Sequence, residues 1–281
     1  MSQTQLYQKR GGHCFFISKK LETLENSIFQ YKPSVINFTL TKNMGGTRMK
    51  KADLVVMLTH KDITVPNAIE LFNICSDLPV KCWGFKDVGL SDDDVVKLGK
   101  IMKAAGKTTT YEIVTNSDAV HEKAAELAIK GEFDYVACGY FYQPLADKLK
   151  AHGIGYLPSN GRLVHVPHPD GPVVMVSTKD ELLENSKYAL SHGATGFDVV
   201  GYRSNQYDCD ELMAWVRKEL PGVYLCAAGG VTSKERIKYI CELEYDAFTT
   251  GSALFDGVYA ENGSFRENLI AVNEYLESLF L

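Results

Sequence analysis

From about residue 53 onward the chain alternates between short apolar runs and longer stretches of helical period. The runs are DLVVML (53–58), VKCWGF (80–85), TTTYEIV (108–114), DYVACGY (134–140), GIGYLP (153–158), GFDVVG (196–201), VYLCAAG (223–229) and DAFTTG (246–251). Most are nearly continuous in apolar character, the signature of strands covered on both faces by crossover helices. The intervening stretches carry helix punctuation. In SDDDVVKLGKIMKAAG, Ser91 is placed to cap the helix, and Val95, Leu98, Ile101 and Met102 share one face. Gly106 suits the left-handed stop. Thr178 with Glu181 forms a capping-box pattern ended by Gly193, a third helix starts at Thr232 or Ser233, and a fourth ends at Pro221-Gly222. Strand then helix, eight times over, predicts an α/β fold of the (β/α)8 TIM-barrel type, with an open doubly wound sheet as the alternative.

Two stretches break the repeat. Residues 1–52 hold β-like runs, HCFFIS and SVINFTL, around a helical LETLENSIFQ. They are expected to form an N-terminal extension packed on a barrel of residues 53–281. In a competing register, Val35–Leu40 is the first strand and GIGYLP is not a strand. The second misfit, SNGRLVHVPHPDGPVVMVS (159–177), is too long for an ordinary strand-to-helix loop, and reads either as a lid over the substrate or as a surface hairpin.

The chain has 281 residues, 45% of them hydrophobic and 23% charged, which excludes a disordered or fibrous protein. Thirty basic against thirty-five acidic side chains leave a formal charge of −5 with no basic run, the opposite of what a nucleic-acid binder shows. The seven cysteines are odd in number and form no C-x-x-C pair, and several sit in apolar runs. That pattern predicts free thiols in a reducing, cytoplasmic setting rather than a disulfide framework or a zinc ribbon. No stretch approaches the length of a membrane span, and no secretory signal is read. The expected partner is a small molecule, and the pattern leaves homo-oligomerisation open.

The strongest chemical signal lies in the last third. CAAGGVTSKERIKYI runs from a strand through Gly229-Gly230 into a capped helix, and FTTGSALFDG runs from the last strand through Gly251-Ser252 into a short apolar turn. Glycine lets the backbone approach an anion closely, so the amides of Gly229, Gly230, Val231, Gly251 and Ser252 could face phosphate oxygens in the two loops where barrels commonly bind phosphate. The alternative is that these glycines merely cap strands. AAGGVTS with TTGSALF resembles the ribulose-phosphate-binding group of (β/α)8 barrels. That group includes indole-3-glycerol-phosphate synthase, phosphoribosylanthranilate isomerase, the histidine-pathway isomerases and N-acetylmannosamine-6-phosphate epimerase. The resemblance spans roughly residues 53–257 in architecture and implies a phosphorylated sugar or phosphoribosyl ligand.

Side chains at the carboxyl ends of barrel strands carry the chemistry. Lys86 follows the uncharged CWGF, so its ammonium should emerge at the barrel mouth, where partial desolvation would lower its pKa. GFKDVG is also similar to the strand-end lysine segments of indole-3-glycerol-phosphate synthase and the epimerase, in which the lysine matching Lys86 is catalytic. The alternative for Lys86 is a rim pair with Asp87. Glu112 stands inside a strand run, and facing inward it would pair with Lys86 and move a proton next to a carbonyl. His60 is a further catalytic candidate or a packing residue. Asp62, Tyr140, Arg162, His165 and Arg203 are candidate substrate contacts, Arg203 alternatively bridging to Asp208 or Asp210. His165 and His168 are flanked by prolines that preclude a helical ligand pair, so no metal is expected. No G-x-G-x-x-G turn is present and no organic cofactor is required. Two family patterns are missing: an acidic residue ending the first strand, as in the histidine-pathway isomerases, and a D-x-K-x-x-D motif. The expected activity is isomerisation or epimerisation of a sugar phosphate by proton transfer. The alternatives are a Schiff-base aldolase using Lys86 and a phosphometabolite-binding barrel without turnover.

Overall fold

Each of the eight apolar runs becomes one parallel strand. The computed structural model describes residues 41–42, 48–114, 117–165 and 173–281. The strands are β1 (Asp53–Met57), β2 (Cys82–Lys86), β3 (Thr108–Ile113), β4 (Tyr135–Cys138), β5 (Gly155–Pro158), β6 (Gly196–Val199), β7 (Tyr224–Ala227) and β8 (Ala247–Thr250). They are hydrogen-bonded in the order β6-β7-β8-β1-β2-β3-β4-β5. The ring closes between β5 and β6 through a parallel bridge from Ser159 to Asp198. Beside that bridge, Thr195 donates its amide to Tyr156 O at 2.9 Å, and its hydroxyl accepts the Tyr156 amide at 2.9 Å. The weak GIGYLP run is therefore the fifth stave of a (β/α)8 barrel, and the competing register is not needed. Val35–Leu40 and the rest of residues 1–40 lie outside the described residues.

The helices follow the punctuation. They are α1 (Ala68–Cys75), α2 (Asp92–Ala104), α3 (Asp118–Lys130), α4 (Gln143–Ala151), α5 (Lys179–Ser191), α6 (Cys209–Glu219), α7 (Lys234–Glu242), the one-turn α8 (Ser252–Phe255) and α9 (Phe265–Ser278). Ser91 caps α2, Thr178 and Glu181 form the capping box of α5, and Ser233 rather than Thr232 caps α7. Each oxygen accepts from an amide of the first turn that the helix itself cannot satisfy.

Strand parity decides which side chains meet inside the barrel, because successive residues point to opposite faces. Leu54 and Val56 of β1 join the large core between barrel and helices, while Val55 and Met57 pack inside with Cys226, Ala247, Cys82 and Tyr224. On β2, Trp83 and Phe85 face the helices, which turns Cys82, Gly84 and Lys86 inward. On β3, Tyr111 and Ile113 face the helices and Glu112 turns inward. On β6 the same rule sends Phe197 and Val199 outward and Asp198 inward. Among the described residues no helix is long and apolar enough to cross a membrane.

Candidate active site

Lys86 and Glu112 are register partners at the carboxyl ends of neighbouring strands. Their inward side chains meet with Lys86 Nζ 3.0 Å from Glu112 Oε1. A second carboxylate arrives from the loop after β1, a small hairpin in which Thr59–His60 pairs with Ile63–Thr64. Its tip places Asp62 Oδ1 2.9 Å from the same Nζ. The returning limb is fixed by the Thr64 hydroxyl, which accepts the Lys86 amide and donates to the Lys86 carbonyl, both at 2.8 Å. Burial by itself would lower the pKa of Lys86, but Glu112 and Asp62 outweigh it and hold the ammonium above its ordinary value. The expectation of a lowered lysine is thereby corrected, since desolvation comes with two carboxylate partners. Asp87 is turned away and accepts the Val114 amide at 3.0 Å, so the rim pair is replaced by an interior one.

Arg203 grips Asp62 from the other side of the mouth. Its Nη1 lies 3.0 Å from Oδ2 and its Nη2 3.2 Å from Oδ1, a two-pronged contact. The alternative partners Asp208 and Asp210 are not used, and Asp208 instead caps α6. Burial opposes the charge on Asp62, yet Lys86 and Arg203 prevail and hold its carboxyl far below the usual carboxylate range. A third carboxyl group, absent from the sequence-based candidates, is that of Asp198 inside the buried GFDVVG run. It is 6% exposed and lines the same cleft as Lys86 and Glu112. Burial, reinforced by the nearby Glu112 carboxylate, pushes its pKa well up and favours the protonated acid. The signal for it was an acidic residue in an otherwise apolar strand run. The cleft opens at the barrel mouth, and Lys86, Glu112, Asp198, Arg203 and Gly229 are among the residues that line it.

The two glycine turns stand side by side. Ala227 of β7 pairs with Phe248 of β8, and Gly230 and Gly251 each follow three residues later. Gly229 and Gly230 both have positive φ, 65° and 76°, where L side chains are strained. Among the described residues, the amides of Gly230, Val231, Gly251 and Ser252 have no hydrogen-bond acceptor within the chain. Gly229 lines the cleft, and a Cβ there would stand 2.7 Å from Arg203 Nε. Gly251 packs so closely on the loop after β1 that a Cβ would lie 2.7 Å from Thr59 O. The Ser252 hydroxyl accepts the Lys61 amide at 2.9 Å.

The other candidates fall around this centre. His60 stacks on Phe255 and pairs with Asp256 at 2.9 Å, so its contacts are with α8 rather than with Lys86 or Glu112. Tyr140 bonds Asp118 at 3.0 Å and packs edge-on against His121, facing α3, while its neighbour Gly139 lines the cleft. Arg162 is exposed. It leads into a hairpin of Leu163–His165 against Val173–Met175, from which Leu163 and Val173 line the cleft. The described ends of the long insertion thus pair as a hairpin. The His165 side chain and all of His168 lie outside the described residues. Among the described residues no group of three or more His, Cys, Asp or Glu side chains is placed to hold a metal ion.

No family model matches the chain, and no curated protein matches it. Solved structures do match in fold. Tryptophan synthase from M. tuberculosis in a ligand-free form superposes with a TM-score of 0.58 at 14% identity, over 82% of this chain and 94% of that one. An aldolase of 4-hydroxy-2-oxoglutarate and 2-dehydro-3-deoxyphosphogluconate gives 0.54 at 16% identity, over 79% and 94%. The N-acetylmannosamine-6-phosphate 2-epimerase from Clostridium perfringens gives 0.52 at 15% identity, over 72% and 86%. The fold of this chain is the (β/α)8 barrel that these enzymes share.

Proposed function

We propose that the protein is an enzyme that isomerises or epimerises a phosphorylated sugar-like metabolite by proton transfer next to a carbonyl. The observation that carries the reading is the Lys86 ammonium, buried at the floor of the cleft and held between Glu112 and Asp62. Glu112 is the base that takes the proton from the carbon beside the carbonyl. The charged Lys86 stabilises the negative charge that develops on the carbonyl oxygen. Asp198, favoured in its neutral form, supplies a hydrogen-bond donor from the opposite wall. The free amides of Gly230, Val231, Gly251 and Ser252 anchor the phosphate, so binding energy remote from the reacting carbon contributes to the rate.

The structural neighbours include both epimerase and aldolase chemistry on this fold, and the fold alone does not choose between them. The state of Lys86 favours proton transfer. A Schiff base requires the neutral amine, and two carboxylates within 3.0 Å oppose losing the proton. The test is incubation with a panel of ketose and aldose phosphates in D2O, read by NMR, beside borohydride trapping. Deuterium wash-in that disappears in Glu112→Gln, without any adduct, supports the proposal. A substrate-dependent adduct on Lys86 replaces it with the aldolase. Binding without exchange or adduct leaves a phosphometabolite-binding barrel.

A further inference from the structure

We infer that Lys86 and Arg203 together form a seat for a carboxylate of the substrate, that Asp62 fills this seat in the resting protein, and that the incoming ligand displaces it. The inference rests on the barrel-mouth reading above and narrows it: the substrate is a phosphorylated hydroxy- or oxo-acid, not a neutral sugar carrying phosphate alone.

The Asp62 carboxylate is itself the template. One oxygen bridges Lys86 Nζ at 2.9 Å and Arg203 Nη2 at 3.2 Å, and the other meets Arg203 Nη1 at 3.0 Å. The planar fork of a guanidinium fits a carboxylate in this way. Among the described residues the Asp62 carboxylate has only these two side chains as partners and no backbone amide. A ligand carboxylate can therefore take its place on Lys86 and Arg203 without orphaning a backbone amide that the Asp62 carboxylate holds.

The tip that carries Asp62 is built to let go. Lys61 and Asp62 have φ of 49° and 64°, two consecutive non-glycine residues in the left-handed region. Each costs about 1 kcal/mol or more unless surrounding contacts hold it there. Two-residue strands bear the tip, and the Asp62 side chain is 28% exposed. The limb that returns to β2 stays pinned by Thr64 on the Lys86 backbone.

Charge demands a replacement. Lys86 and Arg203 bring two positive charges and Glu112 and Asp62 two negative ones, with Asp198 favoured neutral. Withdrawing Asp62 leaves one surplus positive charge in a half-enclosed cleft, and a ligand carboxylate restores the balance. Placement supplies the second part of the ligand. Arg203 lies directly against Gly229, so the carboxylate seat adjoins the phosphate turn. The same tip also occupies the Ser252 hydroxyl through the Lys61 amide, and its departure frees that group for a phosphate oxygen.

Calorimetric titration of the full chain with 3-phosphoglycerate and glycerol 3-phosphate tests this. The two probes match in length and differ in a carboxylate against a hydroxymethyl group. The wild-type protein should prefer 3-phosphoglycerate by about tenfold. Asp62→Asn, which removes the internal competitor, should widen that preference by about another tenfold, and Arg203→Gln should abolish it while glycerol 3-phosphate binding persists. Because each preference is a ratio within one protein, partial misfolding of a variant does not imitate it. An unchanged or narrowed preference in Asp62→Asn overturns the inference. If neither phosphate binds, the phosphate anchor is wrong, and malonate becomes the probe. Malonate binding that tightens in Asp62→Asn and is lost in Arg203→Gln sustains the carboxylate seat alone, and malonate binding indifferent to Asp62 refutes it.

Discussion

Both ends of the barrel carry clusters of carboxylates and cations, and they are wired differently. At the amino-terminal end, Asp246 accepts the Leu225 amide at 2.9 Å and pairs with Lys50 and Arg217. Asp134 likewise accepts the Thr109 amide at 2.8 Å and pairs with Lys103 at 2.6 Å. These carboxylates tie one strand's backbone to the next. At the carboxyl-terminal end, among the described residues, Glu112 and Asp62 are held by the side chains of Lys86 and Arg203. A carboxylate bonded to backbone cannot leave without orphaning an amide, whereas one held by side chains can be exchanged. Ionic clusters at the two ends thus look alike in composition, but one serves the fold and the other is available to a ligand.

Mutation should separate the two ends. The largest effect is expected from Lys86→Met, which should reduce turnover by about three orders of magnitude in the exchange assay, in line with removal of the charge that stabilises a developing oxyanion. Turnover within tenfold of wild type would remove Lys86 from the chemistry. Asp246→Asn should do the converse. It removes the charge that Lys50 and Arg217 share and should lower the urea-derived unfolding free energy by about 3 kcal/mol, with the KM of the folded fraction unchanged. A stable Asp246→Asn protein with altered KM would erase the distinction between the ends.

A subtler contrast lies in pH. An unfolded aspartate loses its proton near pH 4, about its ordinary value, while folded Asp198 retains it to higher pH. Between those two values the folded chain carries the extra proton, so this residue makes stability fall as pH rises, by at most about 1.4 kcal/mol per pH unit. Asp198→Asn should flatten that part of the profile, measured as urea midpoints from about pH 5 to pH 7. Equal slopes for the two proteins would mean that Asp198 ionises normally. The smallest effect is expected from His60→Ala. Its pair with Asp256 is partly exposed, so stability should change by about 0.5 kcal/mol or less and turnover by less than twofold. A large loss of turnover would bring His60 back into the reaction.

The barrel was legible because a strand buried on both faces must be apolar throughout, and the runs ended at recognisable caps. Even the weakest, GIGYLP, proved to be a stave. Lys86 and Glu112 were legible for a related reason, as charges at the ends of or within such runs. What stayed hidden depended on closure of the ring. Asp62 and Arg203 were each candidate contacts, but their pairing was not legible, because they stand 141 residues apart and meet across the mouth. Asp198 was obscured by the very burial that makes it acid-bearing, since its run reads as ordinary core. The pKa expectation for Lys86 failed because sequence shows desolvation but not the second carboxylate that folding brings to it.

The joint between β5 and β6 differs from every other in the ring. Elsewhere continuous ladders bind neighbouring staves, but here one bridge and the amide and hydroxyl of Thr195 do the work, and the longest insertion of the barrel hangs between the same two strands. Asp198 forms half of that bridge and also lines the cleft, so one residue both closes the wall and belongs to the site it encloses.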